Sequence, residues 1–206
     1  MRKNATIGLI LMLCLVAAGL AKDSPTIVES WRSPTPVPGK NNDFQKLIVI
    51  GITDDQELRH HFEDKFVSHL RTQKIDGVTS YSLVADLQAI EDRNELLDRI
   101  MEEGIDGAIS IRLVPLKNAD HGAWGESWAA EMEKDSSLRM LIEKTLPVEA
   151  RAATRFGLEI AVWESMNWYR VWAGRTDGHR KEQLRKQSGD FVELTIGALN
   201  EGGLLR

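Results

Sequence analysis

The sequence predicts a domain of α/β or α+β class with a mixed sheet. Its elements are expected along the chain in the order β-α-β-α-β, an insertion, and then β-β-α. The helices are expected to pack on the sheet. Three observations support this. An apolar run at residues 47–50 leads directly into an amphipathic helix pattern. A second strand and helix pattern follows it before a third strand. Two alternating segments, 154–163 and 168–176, are separated by a four-residue turn and predict a hairpin.

The first strand and helix form the clearest unit. Residues 47–50 are apolar, β-branched and followed by Gly51, as in a central strand with both faces covered. Thr53 or Asp54 is expected to cap the helix that follows. Apolar residues recur at every fourth position and predict one stripe against the sheet: Leu58, Phe62, Phe66 and Leu70. The polar residues between them are expected to face water: Arg59, Glu63, Asp64 and Arg71.

The remaining elements follow from the same patterns. Residues 77–82 predict a second strand, and residues 92–103 predict a second helix. Four side chains of that helix are expected to face inward: Leu96, Leu97, Ile100 and Met101. Residues 106–114 alternate and predict a third strand. A final helix is expected over residues 180–200, with Leu204 and Leu205 beneath the sheet.

The N-terminus has the pattern of an export signal. Arg2 and Lys3 precede an apolar segment at residues 7–16, which small residues follow. We therefore expect residues 1–21 to be a signal peptide that is cleaved near Ala21, which places the mature protein in the periplasm or outside the cell. The apolar segment is too short for a membrane span, so none is expected in the mature chain. Retention of the segment as an N-terminal anchor is the alternative.

Cysteine content and charge exclude several classes of function. Cys14 is the single cysteine and lies in the predicted signal peptide, so the mature chain has neither a disulfide nor a thiol nucleophile. Bulky Leu13 stands where lipoprotein signals place a small residue, so we expect no lipid anchor. The net charge is −5 and becomes more negative when the basic signal residues are removed. Binding to nucleic acid is therefore not expected.

The mature chain divides into a leader and one domain. Residues 22–43 are rich in proline and predict a leader or linker, in which Trp31 is expected to dock on the domain. Residues 44–206 are expected to form a single α/β domain. Residues 115–151 interrupt its rhythm with a glycine-rich stretch and then a weak helical pattern, so they predict an insertion.

The tryptophans are the first candidates for a binding surface. Trp124 and Trp128 lie one helical turn apart in the insertion and are the candidate partner-binding residues. Alternatively, they fold back and cover the sheet edge. Trp163, Trp168 and Trp172 mark the hairpin, where we expect core or helix-packing roles, with Trp168 and Trp172 on one face. A platform for carbohydrate or peptide is the alternative.

Three segments together resemble a group of bacterial envelope proteins. They are LIVIGITDDQELRHHFEDKFVSHL, GIDGAISIRLV, and LEIAVWE with YRVWAGRTDG before a helix that ends in GGLL. They resemble the α/β module shared by the amino-terminal domain of the translocation protein TolB, the curli secretion lipoprotein and the penicillin-binding-protein activator lipoproteins. The resemblance covers most of residues 44–205. It implies a protein that binds or assembles, although the lipobox cysteine of many such proteins is missing.

The histidines do not form a recognisable metal motif. His60 and His61 are adjacent on the predicted helix, so their side chains point about 100° apart and cannot share one ion as an i, i+4 pair can. His121 and His179 lie in predicted loops. No His-Glu-x-x-His motif occurs. We therefore expect neither a metal nor a cofactor.

The two aspartates after the first strand lie where α/β folds often bind ligands. We expect Asp54 and Asp55 to serve the helix cap, with contact to a cation or sugar as the alternative. No Gly-x-Ser-x-Gly motif is present. The sequence thus predicts a secreted or periplasmic, non-enzymatic binding or assembly protein of the cell envelope, whose partner is another protein or a polymer. The alternative is a metal-dependent or hydrolytic enzyme that uses Asp54, Asp55 and a histidine.

Overall fold

A computed structural model describes residues 24–34, 44–85, 93–116 and 153–205. In these residues the strands are β1 (Ile27–Arg32), β2 (Lys46–Ile52), β3 (Asp76–Thr79), β4 (Gly107–Pro115), β5 (Phe156–Glu164) and β6 (Arg170–Thr176). The helices are α1 (Gln56–Thr72), α2 (Ser80–Leu83), α3 (Arg93–Glu102), α4 (Lys181–Lys186) and α5 (Ser188–Glu201).

The described strands form one mixed sheet in the order β1-β6-β5-β4-β2-β3. Strand β2 pairs in parallel with β3 and β4, and the other neighbours are antiparallel. The predicted α/β class with a mixed sheet is confirmed. The predicted hairpin is also present, as β5 and β6 joined by a short turn.

Helices α1, α4 and α5 cover the first face of the sheet. All four members of the predicted α1 stripe are buried in its core: Leu58, Phe62, Phe66 and Leu70. Phe62 meets Phe191 of α5 edge to face, with ring centroids 6.3 Å apart. Leu204 and Leu205, after α5, are each 2% exposed and belong to the same core, as predicted. Apolar burial of this extent is the main stabilising contribution to the fold.

Helix α3 covers the second face, where it buries Leu96 and Ile100. Strand β2 contributes alternate side chains to both faces, so it is an inner strand with both faces covered, as its composition predicted. Met101 was expected to point inward but is 56% exposed. Leu97 packs partly against the same core, whereas Met101 lies in the last turn of the helix, outside the stripe that reaches the sheet.

Part of the predicted leader belongs to the sheet. Residues 27–32 form edge strand β1, which runs antiparallel to β6. Pro25 and Pro34 lie outside this strand, so no proline removes a ladder hydrogen bond from it. Trp31 is partly buried against the core of the second face, as expected of a docked side chain. The predictions for residues 1–23 and 35–43 fall outside the described residues.

Two predicted element boundaries were wrong. The expected strand at residues 77–82 ends at Thr79, and the chain turns into α2 at Ser80, where the backbone N–H of Tyr81 donates to Glu63. The expected single helix at residues 180–200 is two helices, because Gln187 between them has non-helical backbone angles. Gly203 follows α5 with a φ of +65°, a conformation that glycine adopts without strain.

Candidate functional site

The carboxyl end of β2 is where the sequence predicted a helix cap, with contact to a cation or sugar as the alternative. The residue that caps α1 there is Asp55, one of the two aspartates expected to serve the cap, and not Thr53 or Asp54. Its Oδ1 accepts a hydrogen bond from the backbone N–H of Leu58 at 3.0 Å. Its Oδ2 lies 2.9 Å from Nζ of Lys181 on α4. Both oxygens of Asp55 are therefore engaged in contacts that hold two helices in place.

The electrostatic surroundings of Asp55 favour its charged form. Burial by itself raises the pKa of the carboxyl group. The hydrogen bond from Leu58 and the charges of Lys181 and Arg185 outweigh that effect, so the pKa lies below its ordinary value of 3.8. Asp55 is therefore a carboxylate at neutral pH and holds no proton to donate as a general acid.

A buried ion pair lies beside this cap, between Arg59 and Glu63 on successive turns of α1. Arg59 is 3% exposed and Glu63 is fully buried, and Nε of Arg59 donates to Oε1 of Glu63 at 3.0 Å. The same oxygen accepts from the backbone N–H of Gly51 at 2.9 Å and from the Ser80 hydroxyl at 2.7 Å. Oε2 accepts from the backbone N–H of Tyr81 at 3.2 Å. Glu63 thus ties α1 to β2 and to α2.

Arg59 extends the same network to the chain after α2. Its guanidinium donates to the Ser80 hydroxyl at 2.8 Å and to the carbonyl oxygens of Val84 at 3.2 Å and Ala85 at 3.1 Å. A buried charge is tolerated when it is paired and hydrogen-bonded in this way. The expectation that Arg59 and Glu63 face water was wrong, because residues 80–85 pack on the side of α1 next to its apolar stripe.

The histidines of α1 take structural positions. His61 Nε2 lies 2.8 Å from the hydroxyl of Ser188, at the start of α5. The ring of His60 stacks on that of Tyr81, with centroids 4.1 Å apart. His69 Nε2 lies 3.7 Å from Glu193 of α5. Within the described part of the chain, no three potential metal ligands from His, Cys, Asp and Glu come together.

The pair of His61 and Ser188 resembles a base and a nucleophile but lacks the required access. Ser188 is only 2% exposed, so a substrate carbonyl cannot approach its oxygen. Its hydroxyl also donates to the carbonyl oxygen of Arg185 at 3.1 Å, which leaves the oxygen to accept from His61. This pair joins α1 to the junction of α4 and α5.

His179 has a comparable structural role near the N-terminal strand. Its Nε2 lies 3.0 Å from Oδ1 of Asp177, and the same oxygen accepts from the backbone N–H of Thr26 at 2.8 Å. Burial alone raises the pKa of Asp177, but the hydrogen bonds from His179 and Thr26 lower it overall. The two side chains thereby fix the start of β1 to the end of β6.

Charged residues form a row across the second face of the sheet. Strand register places Arg112 opposite Glu159, Glu159 opposite Arg175, and Arg175 opposite Glu29. Arg112 Nη2 donates to Glu159 at 2.8 Å, and Arg175 donates to Glu29. Because the signs alternate, each charge faces an opposite one across the strands, as in stabilising cross-strand pairs.

The three hairpin tryptophans do not all lie on one face of the sheet. Trp163 is fully buried in the second face, where its indole N–H donates to Ser110 at 2.8 Å and Arg170 lies 4.8 Å from its ring centroid. Trp172 is buried in the first face. Trp168 packs against the second, so the prediction that it shares a face with Trp172 was wrong. The cause is that Trp168 lies in the turn, with a φ of +57°, and not in the strand.

The turn of the hairpin exposes apolar side chains that the sequence reasoning missed. Residues 165–169, here named the hairpin tip, contain Met166, which is 68% exposed, and Tyr169, which is 56% exposed. The signal available in the sequence was a turn without charge that is rich in large side chains. Trp124, Trp128 and His121 lie outside the described residues.

Comparisons with known proteins identify no family for this chain. No protein-family model matches it. No curated protein matches it. The similar solved structures include two of PelC dodecamers from Paraburkholderia phytofirmans. A variant form has 10% identity and a TM-score of 0.42 over 86% of this chain and 99% of that one. The other has 12% identity and a TM-score of 0.42 over 88% and 97%. At these values the similarity says nothing about function.

In residues 24–34, 44–85, 93–116 and 153–205, no helix combines the length and the apolar character needed to cross a bilayer.

Proposed function

We propose that this chain is an exported, non-enzymatic binding or assembly protein of the bacterial cell envelope. One observation carries the proposal. The side chains best placed for chemistry at the end of β2 hold the fold together: Asp55 caps α1 and pairs with Lys181, while Glu63 joins β2, α1 and α2. Arg59 in turn holds residues 84 and 85. A scaffold stabilised in this way suits a protein that presents surfaces to partners.

Export is supported by the N-terminal pattern. Arg2 and Lys3, the apolar segment at residues 7–16 and the small residues after it are typical of a signal peptide that is cleaved near Ala21. Mass spectrometry of the natural N-terminus tests this part of the proposal. A mature chain that begins at Lys22 is expected, and a chain that retains residues 1–21 would show an N-terminal anchor instead.

The proposed partner is another envelope protein or an envelope polymer. The resemblance to the TolB amino-terminal domain and the curli and penicillin-binding-protein activator lipoproteins supports this, because that group binds or assembles. Trp124 and Trp128 are the proposed contact residues, since large aromatic side chains on long insertions are common binding anchors. The acidic chain is not suited to nucleic acid.

Cross-linking in intact cells tests the binding role. A Trp124→Ala/Trp128→Ala variant is expected to lose cross-linked neighbours of the native protein while its thermal unfolding stays the same. Met101→Ala is a suitable control, because Met101 is an exposed apolar side chain elsewhere in the chain. Unchanged neighbours in the double variant, together with unchanged folding, would contradict the assignment of these two residues.

Metal analysis of the purified protein tests the proposal against the enzymatic alternative. That alternative requires Asp54, Asp55 and a histidine to act together. Asp55 is engaged by Leu58 and Lys181, and His61 contacts Ser188. We expect elemental analysis to find less than one metal ion per chain. A stoichiometric ion that is lost in an Asp54→Ala/Asp55→Ala variant would replace the binding role with a metalloenzyme.

A further inference from the structure

The hairpin tip is a turn at one end of the sheet that exposes two large apolar side chains and contains no acidic or basic residue. Its five residues are Ser165, Met166, Asn167, Trp168 and Tyr169, none of which is charged at neutral pH. Met166 and Tyr169 are two of the four large hydrophobic side chains that the described residues expose. A third, Met101, lies at the C-terminal end of α3. The chain then enters β4 at Gly107, which pairs with Glu164 at the end of β5 next to the tip. Three of the four therefore lie towards the same end of the molecule.

Glu164 satisfies the backbone of the tip from within. Its side chain is 3% exposed, and Oε2 accepts from the N–H of Met166 at 2.8 Å. Oε1 accepts from the N–H of Asn167 at 2.9 Å and of Tyr169 at 3.3 Å. The N–H of Ser165 donates to the carbonyl oxygen of Asp106 at 3.2 Å. These four N–H groups keep their partners if the tip loses contact with water, so docking leaves none of them unpaired.

Trp168 fixes the shape of the tip. Its backbone has a φ of +57°, which is uncommon for a bulky residue and costs energy that packing must offset. Its side chain packs against the core of the second face. The partly buried ring of Trp168 and the hydrogen bonds to Glu164 therefore anchor the tip, with Met166 and Tyr169 in solvent. A surface ordered before binding loses little conformational entropy when it binds.

We propose that the hairpin tip docks into the interfacial region of a zwitterionic phospholipid bilayer. Met166 supplies a flexible apolar side chain, and Tyr169 supplies an apolar ring with a polar end, which is the type of side chain enriched at lipid–water interfaces. The hydrogen bonds that Glu164 accepts keep the N–H groups of Met166, Asn167 and Tyr169 paired when lipid displaces water from the tip. The net charge of −5 disfavours an anionic surface, whereas the uncharged tip can enter a neutral one without repulsion. This contact is separate from the binding role proposed above.

A fluorescent reporter at the tip tests the proposal. Cys14 is the single cysteine, so Cys14→Ser/Met166→Cys places one thiol at the tip for an environment-sensitive dye. The matched control is Cys14→Ser/Val28→Cys. Val28 is 49% exposed and follows Ile27, which pairs with Thr176 at the end of β6. Arg170, at the start of β6, lies next to the tip and is six residues from Thr176. At about 3.4 Å per residue, the control lies roughly 20 Å from the tip along the sheet.

Phosphatidylcholine vesicles are added to each labelled, exported protein. The dye at residue 166 is expected to shift to shorter wavelength and brighten about twofold or more, while the dye at residue 28 does not change. Replacing a third of the lipid with phosphatidylglycerol is expected to weaken the effect. A change of the dye at both positions overturns the proposal, because it indicates lipid contact elsewhere, such as through a retained apolar N-terminus. A change at neither position also overturns it, because it indicates no lipid contact.

A second measurement removes the dye. In vesicle co-sedimentation, Met166→Ser/Tyr169→Ser is expected to bind at least about tenfold more weakly than the native chain, and Val28→Ser is expected to bind as the native chain does. Equal binding by all three proteins overturns the proposal. A response of the residue 166 dye to rising concentrations of unlabelled protein, without a response to vesicles, also overturns it and assigns the tip to a second copy of the chain.

Discussion

Replacing Glu63 by glutamine tests how much the buried ion pair of α1 contributes to stability. The amide keeps the size of the side chain but removes the charge that neutralises Arg59, which is 3% exposed. It also replaces one acceptor oxygen with a donor, although Glu63 accepts from Gly51, Arg59, Ser80 and Tyr81. At least one of these donors must therefore lose its partner.

The expected loss is about 3–5 kcal/mol in the free energy of unfolding, because removing one partner leaves the other charge buried and unpaired. That lowers the ratio of folded to unfolded protein by about two to four powers of ten. Urea unfolding followed by circular dichroism measures the loss. Asp64→Asn is the matched control on the same helix, since Asp64 is exposed and contacts only the Tyr81 hydroxyl among the described side chains. A change below about 1 kcal/mol is expected there.

Amide hydrogen exchange locates the effect. Because Arg59 donates to the carbonyl oxygens of Val84 and Ala85, Glu63→Gln is expected to speed exchange in residues 80–85 more than in β5 and β6. The double variant Arg59→Met/Glu63→Gln is expected to lose less than the sum of the two single variants, since neither charge then remains unpaired. If Glu63→Gln costs less than about 1 kcal/mol, or if the losses simply add, the reasoning about the buried pair is refuted.

Two further predictions concern close packing and pH. A Cβ at Gly77 would lie 3.0 Å from the Cα of Val67 in α1, so Gly77→Ala is expected to lower the melting temperature and the free energy of unfolding, the latter by about 1–3 kcal/mol. The control is Gly189→Ala, which is expected to be neutral or stabilising because a Cβ there meets nothing within 4 Å. Equal effects of the two substitutions would contradict this. Asp55→Ala is expected to cost about 1 kcal/mol at neutral pH by removing the α1 cap. Since the folded pKa of Asp55 lies below 3.8, this stabilisation is present above pH 3.8 and is lost as the pH falls through the folded pKa. The free energies of unfolding of the native protein and of Asp55→Ala are therefore expected to converge between pH 7 and pH 2. A difference that stays constant over this range would contradict the prediction.

Much of the fold was predictable because it depends on local periodicity. The period-four stripe of α1 and the two-residue alternation in β4 and β5 indicated which side chains enter the core, and the structure places them there. The edge strand β1 was missed because it is short and flanked by prolines, and its stabilising contacts are with β6, about 140 residues away. No local pattern records a partner at that separation.

The candidate site was less predictable for a related reason. The sequence placed the helix cap among the residues after β2 but did not select one, since Thr53, Asp54 and Asp55 all carry suitable oxygens and backbone geometry selects Asp55. The tip of the hairpin was recognised as a turn. Two features of this turn depend on the backbone conformation within the assembled sheet. Glu164 accepts hydrogen bonds from the backbone of the turn, and Trp168 packs on the opposite face from Trp172.

Most of the element order, the inner position of β2, the apolar stripe of α1 and the pattern of an export signal could be predicted from the sequence, because each depends on residues close together in the chain. Which polar side chains leave water depends instead on contacts between distant segments. Arg59, Glu63 and Asp64 look alike on a helix pattern, yet the first two are buried and the third is exposed. The physical reason is that burial of a charge requires another segment, here residues 80–85, to pack over it and supply its hydrogen bonds.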